Sequence, residues 1–207
     1  MWKKHPKALP FLFFSEMWER FGYYLMIGIF TLYLKDVKAG YAMTEAESAD
    51  LYGTFIALVF LTPFIGGLLA DRYLGYRKSI IIGGLMMGIG YCLMSVHNIA
   101  MLYLSMTLVI VGNGFFKPNI STLLGNVYTT PQYIKQKDDG YNIFYMGINI
   151  GAFICNFFGA ALYIVYGWGA AFIAAGVGMF IGVSIFLIGT KHYIAFDVKK
   201  GVTEKDM

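Results

Sequence analysis

Four charged residues stand where charge is costly. Glu16, Glu19 and Arg20 lie in Ser15-Glu16-Met17-Trp18-Glu19-Arg20-Phe21-Gly22-Tyr23-Tyr24, near the middle of an apolar run from Leu9 to Leu34. Lys117 lies in Gly112-Asn113-Gly114-Phe115-Phe116-Lys117-Pro118-Asn119-Ile120-Ser121, again with apolar sequence on both sides. A charged side chain at the centre of a bilayer costs roughly 2.5–3.5 kcal/mol on insertion scales, so such groups must face protein or water and hold one another. Two carboxylates against two cations balance. The chemistry open to this set is proton exchange. A proton that neutralises a carboxylate releases the cation it held, and that cation can then bind another anion. A unit-charge pair at 4 Å is worth about 4 kcal/mol at an effective dielectric near 20, enough to bias a helix or a substrate.

Helical spacing brings these groups together. At 100° per residue, Glu16, Arg20, Tyr23 and Ile27 fall within about 60° of arc, and Glu19 lies about 40° beyond its edge. Glu16 and Arg20 are i, i+4 neighbours and can pair directly. The flanks Leu9–Phe14 and Leu25–Leu34 are too apolar for a water-facing amphipathic helix. Asn113, Lys117 and Ser121 share one face of their own helix, where Pro118 frees a backbone carbonyl and Gly112 and Gly114 allow close approach. The ordinary alternative for Lys117 is a lysine that snorkels to the interface. Asn142, Tyr145, Asn149 and Asn156 form a third polar stripe within about 60° of arc. Three helices thus present polar groups to a common centre, the pattern of a bundle around a wet pathway.

The elements that must position these residues are membrane helices. Of 207 residues, 58% are hydrophobic and only 14% charged, against about 25% charged in soluble domains. Six spans are predicted, roughly Leu9–Leu34, Asp50–Ala70, Ser79–Val96, Ala100–Leu124, Tyr141–Tyr166 and Trp168–Gly189. Thr44-x-x-Glu47 is a capping box that starts the second helix. His97–Ile99 and Gly167–Gly169 read as tight turns, and Thr129–Gly140 as a longer polar loop. The fold class is all-α: residues 1–190 form the bundle and residues 191–207 a polar cytoplasmic tail.

Basic residues set the orientation. With the N-terminus cytoplasmic, Lys3, Lys4, Lys7, Arg72, Arg77, Lys78, Lys135, Lys137, Lys191, Lys199, Lys200 and Lys205 are inside, and only Lys35 and Lys38 outside. Both termini are then cytoplasmic. The basic stretch Trp2–Lys7 precedes a segment too long and too polar at its centre for a cleavable signal. Internal sequence repeats are weak. Cys92 and Cys155 lie in apolar spans, and the histidines His5, His97 and His192 are scattered, so no disulfide framework, metal site or cofactor is expected. The spans contain no Ser/His or Ser/Lys dyad and no zinc pattern, which disfavours an enzyme. The net charge of +4 follows topology and does not point to nucleic acid.

Three motifs carry a resemblance. Glu16-x-x-Glu19-Arg20-Phe-x-Tyr-Tyr, Gly-Asn-Gly-Phe-Phe-Lys117-Pro-Asn and Phe144-Tyr145-x-x-Ile148-Asn149-x-Gly151 resemble the first-, fourth- and fifth-helix motifs of the proton-dependent oligopeptide transporters. Gly66-Gly67-Leu68-Leu69-Ala70-Asp71-Arg72-Tyr73-Leu74-Gly75-Tyr76-Arg77-Lys78 resembles the signature loop of the wider major facilitator superfamily.

The likeness covers almost the whole chain but only the N-terminal six-helix half of that architecture. It implies proton-coupled symport of small peptides at a plasma or inner membrane, with the proton as coupling ion. Glu16, Glu19 and Arg20 would exchange protons, and Lys117 would pair with them or with a substrate carboxylate. Tyr23, Tyr24, Asn113, Tyr145 and Asn149 would line the peptide site. Gly67, Asp71, Arg72, Arg77 and Lys78 would serve the cytoplasmic gate. Two positions depart from the family pattern. Ile27 stands where an arginine is common, and Phe60, before Thr62-Pro63, where a tyrosine is. The site is less polar for it, and another small anionic solute is the alternative cargo. The second half would come from a longer reading frame, from a second copy or a separate half, or not at all in a non-transporting scaffold.

Overall fold

Residues 2–197 are described by a computed structural model. The cytoplasmic placement expected for Lys199, Lys200 and Lys205, and most of the polar tail, fall in residues 198–207, outside the described residues. Six long helices follow one another: α1 (Ala8–Lys35), α2 (Glu45–Leu69), α3 (Tyr76–Leu93), α4 (Ile99–Val127), α5 (Lys137–Tyr166) and α6 (Trp168–Gly189). No strand occurs among the described residues. Among the described residues, four helices are long and apolar enough to cross a membrane: α2, α4, α5 and α6, each with its flanking turns where present. The other two carry charge. α1 holds Glu16, Glu19 and Arg20 near its middle, and α3 opens on Arg77 and Lys78.

The helix ends follow local chemistry. Thr44 Oγ1 accepts from Glu47 N at 3.3 Å while Glu47 Oε2 accepts from Thr44 N at 2.9 Å, so α2 starts five residues before the span drawn from hydropathy. Asn98 caps α4 by accepting from Ala100 N and Met101 N. α5 begins at Lys137, inside the stretch expected to be loop, because Asp138 and Asp139 favour a first helical turn. Only Gly167, at φ +82°, separates α5 from α6. At the end of α1, Asp36 accepts from Lys38 N, Ala39 N and Trp168 Nε1, tying that turn to the start of α6.

Helix pairing has a two-fold pattern that the sequence does not display. α1 packs against α5 and α6, α4 packs against α2 and α3, and α3 packs against α6. Exchanging α1–α3 with α4–α6 maps this pattern onto itself. Glycines set the close approaches. A β-carbon at Gly22 would lie 2.8 Å from Ala175 O on α6, and one at Gly66 would collide with Gly114 O on α4. Residue identity differs between the halves because packing needs only smallness at these crossings.

Residues 190–197 do not form a free tail. Tyr193 is fully buried and its hydroxyl donates to Phe186 O. Asn126 Nδ2 donates to Phe196 O at 3.2 Å, and Asp197 Oδ1 accepts from Arg77 N at 3.1 Å. The N-cap of α3 is Gly75, at φ +78°, which has no side chain to cap the helix. Asp197 supplies that cap from 120 residues away.

Candidate functional site

α1 buries its charges on itself. Glu16, Glu19 and Arg20 are 2%, 0% and 3% exposed. Arg20 grips Glu19 with two bonds: Nη2 donates to Oε1 at 2.7 Å, and Nε donates to Oε2. Arg20 Nε also lies 3.3 Å from Glu16 Oε1, the expected i, i+4 pair. The stronger contact is with the adjacent residue. Adjacent positions point their Cβ atoms apart, but a guanidinium on a long stem can turn back and meet a carboxylate with both nitrogens. Glu16 keeps a buried Oε2 without a hydrogen-bond partner. Arg20 also lies over the Tyr23 ring, 5.0 Å from its centroid. Small residues make the space: Gly151 of α5 lets that helix close on Met17 and Arg20, and Gly182 of α6 sits against Ser15 and Trp18.

Lys117 behaves differently. It is half-buried, and among the described residues no carboxylate lies within ion-pair distance of it. Its ammonium sits over the Phe60 ring, 5.4 Å from the centroid. Arg20, Glu19 and Glu16 still act on it through space, so the two cations and two carboxylates share one electrostatic neighbourhood. The aromatic ring at Phe60, one of the two departures noted above, is thus what supports the lysine.

Asn113 is not on the open face. It is buried, and Nδ2 donates to Val59 O at 3.0 Å. Val59 is four residues before Pro63, so its carbonyl is the one that the missing proline N–H leaves unpaired. The signal was present in the sequence: a proline inside a span creates an orphan carbonyl that needs a donor from elsewhere. Thr62 Oγ1 donates to Ile110 O at 2.8 Å beside it. Asn113 Oδ1 is left buried without a partner.

The remaining expected residues separate into two groups. Tyr23 is buried against Arg20, out of reach of a solute in this conformation, and Ile27 is half-buried. Tyr24, Phe60, Tyr145 and Asn149 are exposed, with Tyr145 at 52% and Phe60 at 67%. The α5 stripe of Asn142, Tyr145, Asn149 and Asn156 is exposed along its whole length. A cavity of about 250 Å³ opens between Tyr24 and Gly28 of α1 and Asn156 and Gly159 of α5. In the signature loop, Gly66 makes the tight crossing, whereas Gly67 has ordinary clearance from Pro118. The loop closes with a wide turn, Gly75 N to Ala70 O at 2.8 Å, with Arg72 and Lys78 exposed and Asp71 half-buried. Among the described residues no group of histidines, cysteines and carboxylates could hold a metal ion.

An apolar helical bundle with an ion set sealed at its centre and a polar face left open is an integral membrane protein of the major-facilitator type. The POT family profile matches residues 77–207, and the chain belongs to that family. It is 41% identical over 186 residues to dipeptide and tripeptide permease A of Citrobacter koseri, covering 89% of this chain and 36% of the permease. Over 180 residues it is 41% identical to the permease of the same name from Yersinia pestis, covering 86% of this chain and 35% of that one. The fold matches a crystal structure of a POT peptide transporter in complex with sulfate at a TM-score of 0.91 and 33% identity, over all of this chain and 43% of that one. A POT family transporter in complex with 5-aminolevulinic acid matches at 0.91 and 28%, with the same coverage. The chain therefore spans little more than a third of the permeases it matches. These relatives are permeases and transporters, not enzymes.

Proposed function

We propose that this chain is the N-terminal half of a proton-coupled carrier for small peptides. The observation that carries the reading is the sealed Glu16–Arg20–Glu19 set and a half-buried Lys117 with no carboxylate within ion-pair distance among the described residues. All six long helices span the bilayer in this reading, with both termini cytoplasmic and the basic loops inside. The exposed face of α2 and α5 is covered by the carrier's other half, and the substrate lies between the halves. A proton taken up by Glu16 or Glu19 weakens the hold on Arg20. The altered field frees Lys117 or Arg20 to meet a peptide carboxylate. Tyr24, Tyr145 and Asn149 supply contacts from the open face, while Tyr23 and Asn113 act from behind it. The proton is the coupling ion.

The test is uptake of a dipeptide into proteoliposomes under an acid-outside gradient. Replacing both Glu16 and Glu19 by Gln in the intact carrier abolishes gradient-driven accumulation. Accumulation that survives the double replacement overturns the coupling role.

A second reading keeps the carrier and changes the cargo to another small anion. The aromatic ring of Phe60 beneath Lys117, and the absence of a second cation at Ile27, favour that reading. Competition by zwitterionic di- and tripeptides for binding separates the two, since a carrier built for another small anion does not take them up in its site.

A further inference from the structure

Tyr91 lies on α3, outside every motif considered above. A lone tyrosine in an apolar helix gives no sequence signal. Its side chain has no solvent exposure, and its hydroxyl has no hydrogen-bond partner among the described residues. The ring points its hydroxyl end at α1: Cε2, next to the carbon that bears the oxygen, would lie 3.3 Å from a β-carbon at Gly22. Gly22 is three residues beyond Glu19 on the same helix face. The carbonyl of Ala175 on α6 closes the same spot. Three helices therefore meet around a glycine, with the ring edge that adjoins the Tyr91 hydroxyl reaching that junction from α3. The charges that act on the hydroxyl are Glu19 and Arg20, followed by the Tyr23 phenol.

A buried hydroxyl without a partner is costly, and phenylalanine would fill the same space without that cost. The tyrosine is accounted for if its partner arrives in another state of the protein. Glu19 is the group placed to do so, and here both its oxygens are committed to Arg20. From this we infer that Tyr91 is a positioning residue for the coupling set. Its hydroxyl donates to the carbonyl oxygen of the Glu19 carboxyl once protonation has released Arg20. The phenol keeps its own proton throughout, and the proton that neutralises Glu19 comes from the aqueous pathway. The groups facing this pair are Glu16, Arg20 and Tyr23 from α1 and Lys117 from α4. The inference rests on the reading of Glu16, Glu19 and Arg20 as the proton-coupling set, and not on the cargo.

The experiment is an infrared pH titration of the protonated-carboxyl band in the intact carrier in lipid, for the unaltered protein, Glu19→Gln, Tyr91→Phe and the double variant. Glu19→Gln removes one titrating component. Tyr91→Phe moves the midpoint of that component downward by roughly half to one pH unit, about three- to tenfold in proton concentration, because a donor that holds the protonated, released carboxyl is gone while the Arg20-paired ion is untouched. Its melting temperature is not lowered, since the hydroxyl is unpartnered in the resting structure. An unmoved midpoint overturns the inference, as does a shift that persists in the double variant or a lowered melting temperature. If Glu19→Gln removes no component, the coupling reading itself fails and this inference with it. Dipeptide binding measured on the same samples reports on the cargo alone.

Discussion

α1 and α4 occupy equivalent places in the two-fold packing pattern, and each carries charge at mid-length, yet they treat it in opposite ways. α1 satisfies its ions from its own sequence: Arg20 is held by Glu19 and Glu16, all on one helix and all sealed. α4 holds a single cation, half-buried over an aromatic ring, with no carboxylate in contact among the described residues. A self-contained ion set can travel with its helix without breaking contacts across the bundle. A cation supported only by a ring is free to recruit an anion. The difference teaches that equivalent positions in a repeat can hold charge in opposite ways; in the proposed function they divide one reaction, with the proton side on α1 and the anion side on α4.

The sharpest way to break this comparison is to remove Arg20. Arg20→Leu leaves two buried carboxylates without a cation and is expected to destabilise the protein by about 3–5 kcal/mol, read as a loss of folded fraction in chemical unfolding in micelles. Glu16→Gln costs much less than Glu19→Gln, because Glu16 makes one long contact and Glu19 makes two. Equal costs would contradict the unequal grip.

Next in size is the bolt between α2 and α4. Asn113→Leu leaves the Val59 carbonyl unpaired and costs about 1–3 kcal/mol by the same unfolding measurement. In a Pro63→Ala background the cost falls, because the restored N–H at position 63 reclaims that carbonyl. An unchanged cost in that background shows that Asn113 acts through something other than the proline.

Lys117→Met has the smallest effect on stability, about 0–1 kcal/mol, since a half-exposed charge without an ion pair contributes little. Its effect appears instead in the binding of an anionic solute, which is lost. A stability cost like that of Arg20→Leu would mean that α4 holds its charge as tightly as α1 does.

The last test lies at the C-terminal end of α1. The Lys38 backbone N–H, then the Trp168 indole and the Ala39 N–H, hold the Asp36 carboxyl below its usual value. A depressed acid contributes stability above its unfolded value of about 3.9, and that contribution is lost as pH falls through the folded value. Asp36→Asn therefore narrows the stability gap to the unaltered protein as the solution is acidified below the ordinary aspartate range. A gap that does not close below pH 4 or so rules out the carboxylate as the source.

Much of this was legible in the chain. Long apolar segments predict membrane helices from composition, and the Thr44–Glu47 box and the Glu16–Arg20 pair are local patterns whose partners lie within four residues. Glu19 was placed at the margin of its stripe because angular spacing describes where Cβ atoms point, not how far an arginine reaches. Asn113 was assigned to the open face because its partner, Val59, is 54 residues away and only helix crossing brings them together. Tyr91 was invisible for the same reason.

The order of amino acids alone determined the helices, their apolar faces and the presence of charges that must be paired, because these depend on contacts within a turn or two. The tertiary structure decided which oxygen meets which nitrogen, which polar residues face the open side, and that α1 and α4 are counterparts. Those outcomes depend on how closely two helices approach, and that distance is set by single glycines meeting backbone from segments far apart in the chain.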